Sequence, residues 1–440
     1  MKPRLLVATG LATLFGAGML LSLVTSSRAT AATYQVDFEH GRDDHDGRTA
    51  ATAWKHAPGD PEAKGVPAKT VLHPGDQVIF AAKVRYRGSI VVTASGSAEA
   101  PIVFAGATSG ATAIIDGSDP VGAVQPCQSS TDCGGAANWQ RLVRFEAPYP
   151  LNDDSALFSE AGVLWPAQSP NPKDDFYRDE IADMPEVDAA AMAQGQVALP
   201  RDVASGLASG GGRLALWIQP NRVVYRPILA IEGNVARFDP TGLQFYTDRA
   251  ERAAVIDHVS AIDQPGEYVV LANHTTVIAM LPPGATTLSV ASGRFGFRVR
   301  GASHLVFRDL DFENMGDGGK IAPAGVGIFG DRGNNTDVRG LRIENNVFRN
   351  FDMPQGQGAL VIRNISDLQI VGNRINTMVL GSGMRLPAAG RPGPAGIGHI
   401  RFWPGRRRAC EAAWRRSNRG DRRSPPDTRS SDPAAARQCG

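Results

Sequence analysis

Phe297-Arg-Val-Arg-Gly-Ala-Ser-His-Leu-Val-Phe307 and Leu360-Val-Ile-Arg-Asn-Ile-Ser-Asp-Leu-Gln-Ile370 align without a gap, 63 residues apart. Apolar residues fall at 297, 299, 305 and 307 in the first segment and at 360, 362, 368 and 370 in the second; Arg300 matches Arg363 and Ser303 matches Ser366. A third copy lies between them, with Val326 and Ile328, then Leu341 and Ile343, and extra loop residues from Asp331 to Asp337. Its second strand leads through Asn345-Asn346 to Phe348, as Leu368-Gln-Ile370 leads through Asn373 to Ile375. Alternation with a period of two marks strands that bury one face. Repetition at 27 residues (Leu341 to Leu368) and 36 residues (Leu305 to Leu341) marks a parallel β-solenoid, whose coils bury that face only against one another. Asn at the turns can adopt left-handed angles and hydrogen-bond the Asn of the next coil. A sandwich of antiparallel strands, the competing fold, predicts no such periodicity.

Working outward, the N-terminus carries Lys2 and Arg4, an apolar run from Leu5 to Val24, and Ala29-Thr30-Ala31. This is the form of a secretory signal with cleavage after Ala31; an uncleaved anchor is the alternative, since the run has the length of a bilayer span. Export is expected, to the periplasm or medium, with no membrane association after cleavage. In that oxidising setting Cys127 and Cys133, which bracket a short polar loop, are expected to pair, because no His or further Cys lies near to complete a zinc set.

The net charge of +2 hides a division. From Arg385 to Gly440 there are 13 Arg, no Lys and 4 acidic residues, a local charge of +9 that leaves the mature body acidic. Beyond Arg401 the Leu, Ile, Val and Phe set is represented by Phe402 alone, so this tail cannot offset its ordering entropy and is expected to be disordered. Its composition matches GC-rich DNA translated out of frame, with a break expected between Leu380 and Ile400, in which case Cys410 and Cys439 have no designed role. The basic runs could attract phosphates, but the out-of-frame origin takes precedence and no nucleic-acid partner is expected. The organisation expected is a signal over 1–31, first coils over 32–120, an irregular β-rich insertion over 121–290, regular coils over 291–384 and the tail over 385–440. Within the insertion, Ala204–Arg213 reads as a linker, and 223–231 and 268–281 as strands.

The coils and the mature N-terminus together resemble the pectate-lyase-like right-handed parallel β-helix proteins. The residues that carry this are Tyr34-Gln-Val-Asp, Asp44-His-Asp-Gly47, Ala50-Ala-Thr-Ala-Trp-Lys55, Leu72-His-Pro-Gly-Asp-Gln-Val-Ile-Phe80, Tyr86-Arg-Gly-Ser-Ile90, Ala100-Pro-Ile-Val-Phe104 and Ile114-Ile-Asp-Gly117. The resemblance covers roughly 33–120 and 290–380. It implies a secreted, carbohydrate-active protein with a polysaccharide lying along one parallel sheet and a side module beside the coils. The fold class expected is therefore all-β, a right-handed parallel β-helix with a β-rich insertion.

Aligned on the repeats, Arg300, Phe329 and Arg363 fall at equivalent outward positions on three coils, where guanidiniums flanking an aromatic ring would hold a uronate and stack on a sugar. A β-eliminating lyase needs the uronate carboxylate neutralised by Ca²⁺ or Arg and a base near the C5 proton. Lys320, in Asp317-Gly-Gly-Lys320, is the only lysine of the regular coils and the candidate base, although the R-x-P-x-x-R pattern of lyases is absent. A hydrolase needs two carboxylic groups about 5 to 10 Å apart. Asp309, Asp311 and Glu313 alternate on one strand face, with Asp317 and Asp331 in adjoining loops. Asn335-Thr336-Asp337 echoes a polygalacturonase motif whose other elements are missing, and His258, His274 and His304 have no metal-ligand spacing. Asp44-His45-Asp46-Gly47 lacks the acids of a calcium loop, with Arg42 and Ala53 at two ligand places, and reads as a turn. Apart from the Ca²⁺ a lyase would use, no metal is expected. The absence of a phosphate-binding glycine loop and of a nucleophile elbow argues against phosphoryl transfer and serine hydrolysis. The activities expected are polysaccharide lyase or glycoside hydrolase in a monomer; a non-catalytic glycan-binding protein and an inactive truncated copy are the alternatives.

Overall fold

The computed structural model describes residues 30–107, 112–173, 184–207, 210–219, 222–245, 251–318, 320, 323–335, 337–353, 358–376, 378–379, 382–385 and 401–402. The apolar run of the signal and most of the basic tail, with Cys410 and Cys439, lie outside them. The chain is all-β with several parallel sheets, and among the described residues no helix is long and apolar enough to cross a membrane.

Three parallel sheets are visited in turn. Phe297–Arg300 belongs to a sheet that also holds Ile90–Val92, Ile328–Asp331, Gly358–Ile362 and Ser382–Arg385, here called sheet 3. Leu305–Arg308 belongs to sheet 1, with Thr33–Val36, Gln77–Phe80, Ile102–Gly106, Leu341–Glu344 and Gln369–Val371. Leu310–Gly316 belongs to sheet 2, with Arg85–Tyr86, Ala113–Asp116, Val347–Asp352, Arg374–Ile375 and Arg401–Phe402. After sheet 2 the chain returns to sheet 3 and pairs one strand further along. The repeat spacing is the length of one such circuit. Ser382–Arg385 pairs in parallel with Gly358–Ile362, and Arg401–Phe402 with Arg374–Ile375.

The apolar positions of the repeats all point inward. Phe297, Val299, Leu305, Phe307, Leu360, Ile362, Leu368 and Ile370 are buried. Phe312 and Phe348, register partners on adjacent strands, stack with centroids 4.7 Å apart, an arrangement worth about 1 kcal/mol beyond area burial. The expected Asn ladder is present: Asn346 donates through Nδ2 to Asn373 Oδ1 at 3.0 Å, and Asn373 donates to the Ile343 carbonyl at 2.7 Å. Both amides are fully buried and so need these partners.

Residues 118–291 form an inserted module that leaves the body between sheet 2 and sheet 3 of one circuit. Its sheets are almost entirely antiparallel, among them Arg213–Gln219 with Arg222–Pro227 and Glu251–Ile256. It has separate apolar cores, one of them around Leu214, Leu216, Phe238 and Val255. The expected linker starts inside a short helix, Arg201–Gly206. The second expected strand is a hairpin, Glu267–Val270 with Thr276–Ala279. Cys127 and Cys133 are joined by a disulfide inside this module, with Cα atoms 5.8 Å apart. The module packs closely on sheet 2: a Cβ placed on Gly316 would lie 2.8 Å from the Ala291 Cβ.

A candidate active site on the second sheet

Sheet 2 alternates like the others, so Ile115, Phe312 and Phe348 point inward while their neighbours point out. The outward residues are unusual. In one row Asp116, Glu313 and Arg349 are register partners; in the next, Arg85, Ile114, Asp311, Val347 and Arg374 follow strand by strand. Asp116, Asp311 and Glu313 are 2%, 5% and 3% exposed, so three carboxyl groups are buried on a face where solvated side chains are the rule.

Guanidiniums hold them together. Arg85 Nη1 lies 3.0 Å from Asp116 Oδ2 and 2.9 Å from Glu313 Oε2, and Arg87 Nη2 lies 3.5 Å from Asp116 Oδ2. Arg349 Nη2 lies 3.0 Å from Asp311 Oδ2 and also donates to Glu313 Oε1. Both oxygens of Glu313 therefore accept from arginine. Asp311 Oδ1 is buried with no hydrogen-bond partner. Burial first, and then the negative charge of Glu313, push the Asp311 carboxyl up to about 7, against the pull of Arg349. Two neighbouring acids with such different surroundings can divide the roles of proton donor and carboxylate between them.

The other expected site residues are dispersed. Asp309 sits at the corner between sheets 1 and 2 with φ +58°, a left-handed angle that breaks the alternation, and its side chain pairs with Arg308 at 3.1 Å. It does not share the face of Asp311 and Glu313. Lys320 donates to the Ser292 carbonyl at 2.8 Å, which leaves it a brace for the module boundary. Asp331 accepts from the Gly333 amide within its own turn, and Asn335 donates to the Gly301 carbonyl at the end of the neighbouring strand; Thr336 lies outside the described residues.

Phe329 is in register with Arg298 and Val361, and Arg300 with Asp331. The third repeat copy is therefore offset by two residues from the alignment expected, which keeps each side chain on its face but changes its neighbours. Half of that expected cluster survives, because the Arg363 guanidinium lies 5.3 Å from the centroid of the largely buried Phe329 ring.

Asp116, Arg85, Arg87 and Arg349 went unnoticed in the sequence. A signal was available: Ile114-Ile-Asp116, Asp311-Phe-Glu313 and Val347-Phe-Arg349 share one pattern, an inward apolar residue followed by an outward charge.

Asp44-His45-Asp46-Gly47 is a turn as expected, with Asp44 on Arg42 and Asp46 accepting from the Arg48 amide. The neighbouring Asp43 ties three loops together, accepting from the amides of Lys55, His56 and Lys64 and lying 2.7 Å from His56 Nδ1. Among the described residues no group of three or more His, Cys, Asp or Glu is placed to hold a metal ion. The sheet-2 acids do not fit a Ca²⁺, because guanidinium donors already occupy the oxygens it would need.

No family model and no curated protein matches the chain. Among solved structures, one described as a glycoside hydrolase aligns over 79% of this chain and 74% of its own length at 11% identity, with a TM-score of 0.50. XylC in complex with xylose aligns over 80% of this chain and 56% of its own at 13% identity, with a TM-score of 0.36. For the GH136 lacto-N-biosidase from Eubacterium ramulus the shares are 79% and 34%, at 10% identity and a TM-score of 0.32. This chain thus spans about half of XylC and a third of the lacto-N-biosidase. At such identities the likeness is one of fold, and the first of these structures alone is close enough to support it.

Proposed function

We propose that this protein is an exported glycoside hydrolase built on a right-handed parallel β-helix, with Asp311 as general acid and Glu313 as the carboxylate that attacks. One observation carries the assignment: Asp311 and Glu313 are buried side by side with an oxygen of each on the same nitrogen of Arg349, and burial raises the Asp311 carboxyl. The register of the three sheets and the fold likeness to a glycoside hydrolase support the β-helix. A polysaccharide would lie across the strands of sheet 2, along the border of the inserted module. The half-exposed side chains of Arg85 and Arg349 cover the acids and would move aside for it.

In the reaction, Asp311 gives its proton to the glycosidic oxygen as that bond to the anomeric carbon breaks, while Glu313 bonds to the same carbon. Water, relieved of a proton by the Asp311 carboxylate, then displaces Glu313. The anomeric configuration of the first product distinguishes this double displacement from a single, inverting one. The hydrolase reading is preferred to the lyase one because the paired carboxyls lie together on sheet 2, whereas Lys320 donates to the Ser292 carbonyl at the module boundary.

The slight exposure of Asp311 and Glu313 favours a second reading, a non-catalytic glycan-binding protein in which the acids only brace the sheet. Incubating the full chain with a panel of neutral and acidic polysaccharides separates the two. Hydrolysis yields new reducing ends without the ultraviolet absorbance of unsaturated uronates; binding with neither product supports the second reading.

A further inference from the structure

The inserted module begins beside the acids. Asp116 is the last residue of its sheet-2 strand, and Ser118 opens the first strand of the module. Asp116 Oδ1 accepts from the Ser118 amide at 3.0 Å and from its hydroxyl at 2.7 Å, while Oδ2 faces Arg85 and Arg87. The Ser118 Oγ is also 2.9 Å from the Ser289 Oγ. Ser118 has one hydroxyl proton, and the carboxylate is the stronger acceptor, so Ser289 is the donor in that contact. Ser289 lies on the module strand Leu288–Ala291, paired with Ser118–Pro120 on one side and Leu157–Ser159 on the other. A continuous chain of hydrogen bonds therefore runs from Ser289 through Ser118, Asp116 and Arg85 to Glu313. Ser118 is fully buried, and buried polar groups of this kind must be paired.

We propose that Asp116, fixed by Ser118 and Ser289 of the inserted module, is the positioning residue that holds Arg85 on Glu313, so that the module organises the acid pair it borders. Its meaning for catalysis rests on the hydrolase assignment, whereas the coupling itself can be measured without any substrate. The Arg85 side chain is partly exposed. Released from Asp116, it would gain rotamer freedom and solvent, and Glu313 would lose one of its two cations. The charged groups around Asp311 are Glu313 on its own strand, Asp116, Arg85 and Arg87 on the N-terminal side, and Arg349 and Arg374 on the C-terminal side.

The test is the titration of the Asp311 carboxyl, followed by NMR in the full chain labelled at the aspartate carboxyl carbons. Arg85→Gln removes a cation from Glu313 and should raise the upper titration step of the pair by about one pH unit. Ser118→Ala should raise it by a smaller amount in the same direction, and Ser118→Thr, which keeps the hydroxyl, should restore the original value. In the Arg85→Gln background, Ser118→Ala should add nothing, because its effect passes through Arg85. Equal shifts from Ser118→Ala in both backgrounds, or no shift in a folded variant, would overturn the proposal, as would an unmoved titration in Arg85→Gln. If Ser118→Ala does not fold, Ser289→Ala, which removes only the outer donor, is read in the same way. A chain that cleaves no glycan but shows these shifts would refute the hydrolase assignment and leave the coupling standing.

Discussion

The three-sheet body and the inserted module are both β structures of similar size, yet they are stabilised in different ways. In the body the chain visits the three parallel sheets in turn, and inward rings stack between adjacent strands, Phe104 on Phe307 and Phe312 on Phe348. In the module, antiparallel neighbours close separate cores of their own. Burial in the body is therefore a property of the stack, and the sequence must repeat to supply it. The module carries no such constraint, which leaves its sequence free to be irregular.

The strongest test of that contrast is a matched pair of cavities. Phe348→Ala, in the shared core, should cost about 3–5 kcal/mol and make all three sheets of the body melt together. Phe238→Ala should cost a similar amount but open the module alone, so that limited proteolysis cuts within 118–291 while the body persists. Simultaneous melting of both regions in both variants would break the comparison.

A smaller effect comes from the two carboxyls pushed up to about 7, Asp311 in the body and Glu267 in the module. Glu267, in the module, is pushed up to about 7, chiefly by burial. Its folded-state value lies above the unfolded one, so the unfolded chain ionises first as pH rises. The module should thus lose up to roughly 3 kcal/mol between about pH 4.5 and pH 7, and no more above that. Glu267→Gln should remove this contribution and so make the slope of module stability shallower over that range; denaturant melts at several pH values would show it. The smallest effect expected is that of opening the Cys127–Cys133 loop, six positions apart in sequence. Cys127→Ala with Cys133→Ala should lower module stability by about 2 kcal/mol and leave the body's own transition in place.

The same contrast explains what could be seen in the sequence. Phe297, Val299, Leu305 and Phe307 lie where the alternation put them, and the Asn346–Asn373 ladder sits at the turns expected. Asp311 and Glu313 share the face that the alternation of their strand gave them. Asp309 was wrongly joined to them, since nothing in the alternation shows that a left-handed corner intervenes. Arg300 was paired with Phe329 because a two-residue offset between copies leaves the pattern of faces unchanged. Asp116 lies 195 residues before Asp311, and the inserted module hides their register from any alignment of neighbouring repeats.

The central claim is that Asp311 and Glu313 are a working acid pair. It is tested most directly by measuring reducing-end release, and the anomeric configuration of the first product, for the full chain and for Asp311→Asn. With Asp311 as acid and Glu313 as the attacking carboxylate, release proceeds with retention and falls 10²-fold or more in Asp311→Asn while the fold is kept. Release that is undiminished in Asp311→Asn, or no release from any polysaccharide, would contradict it.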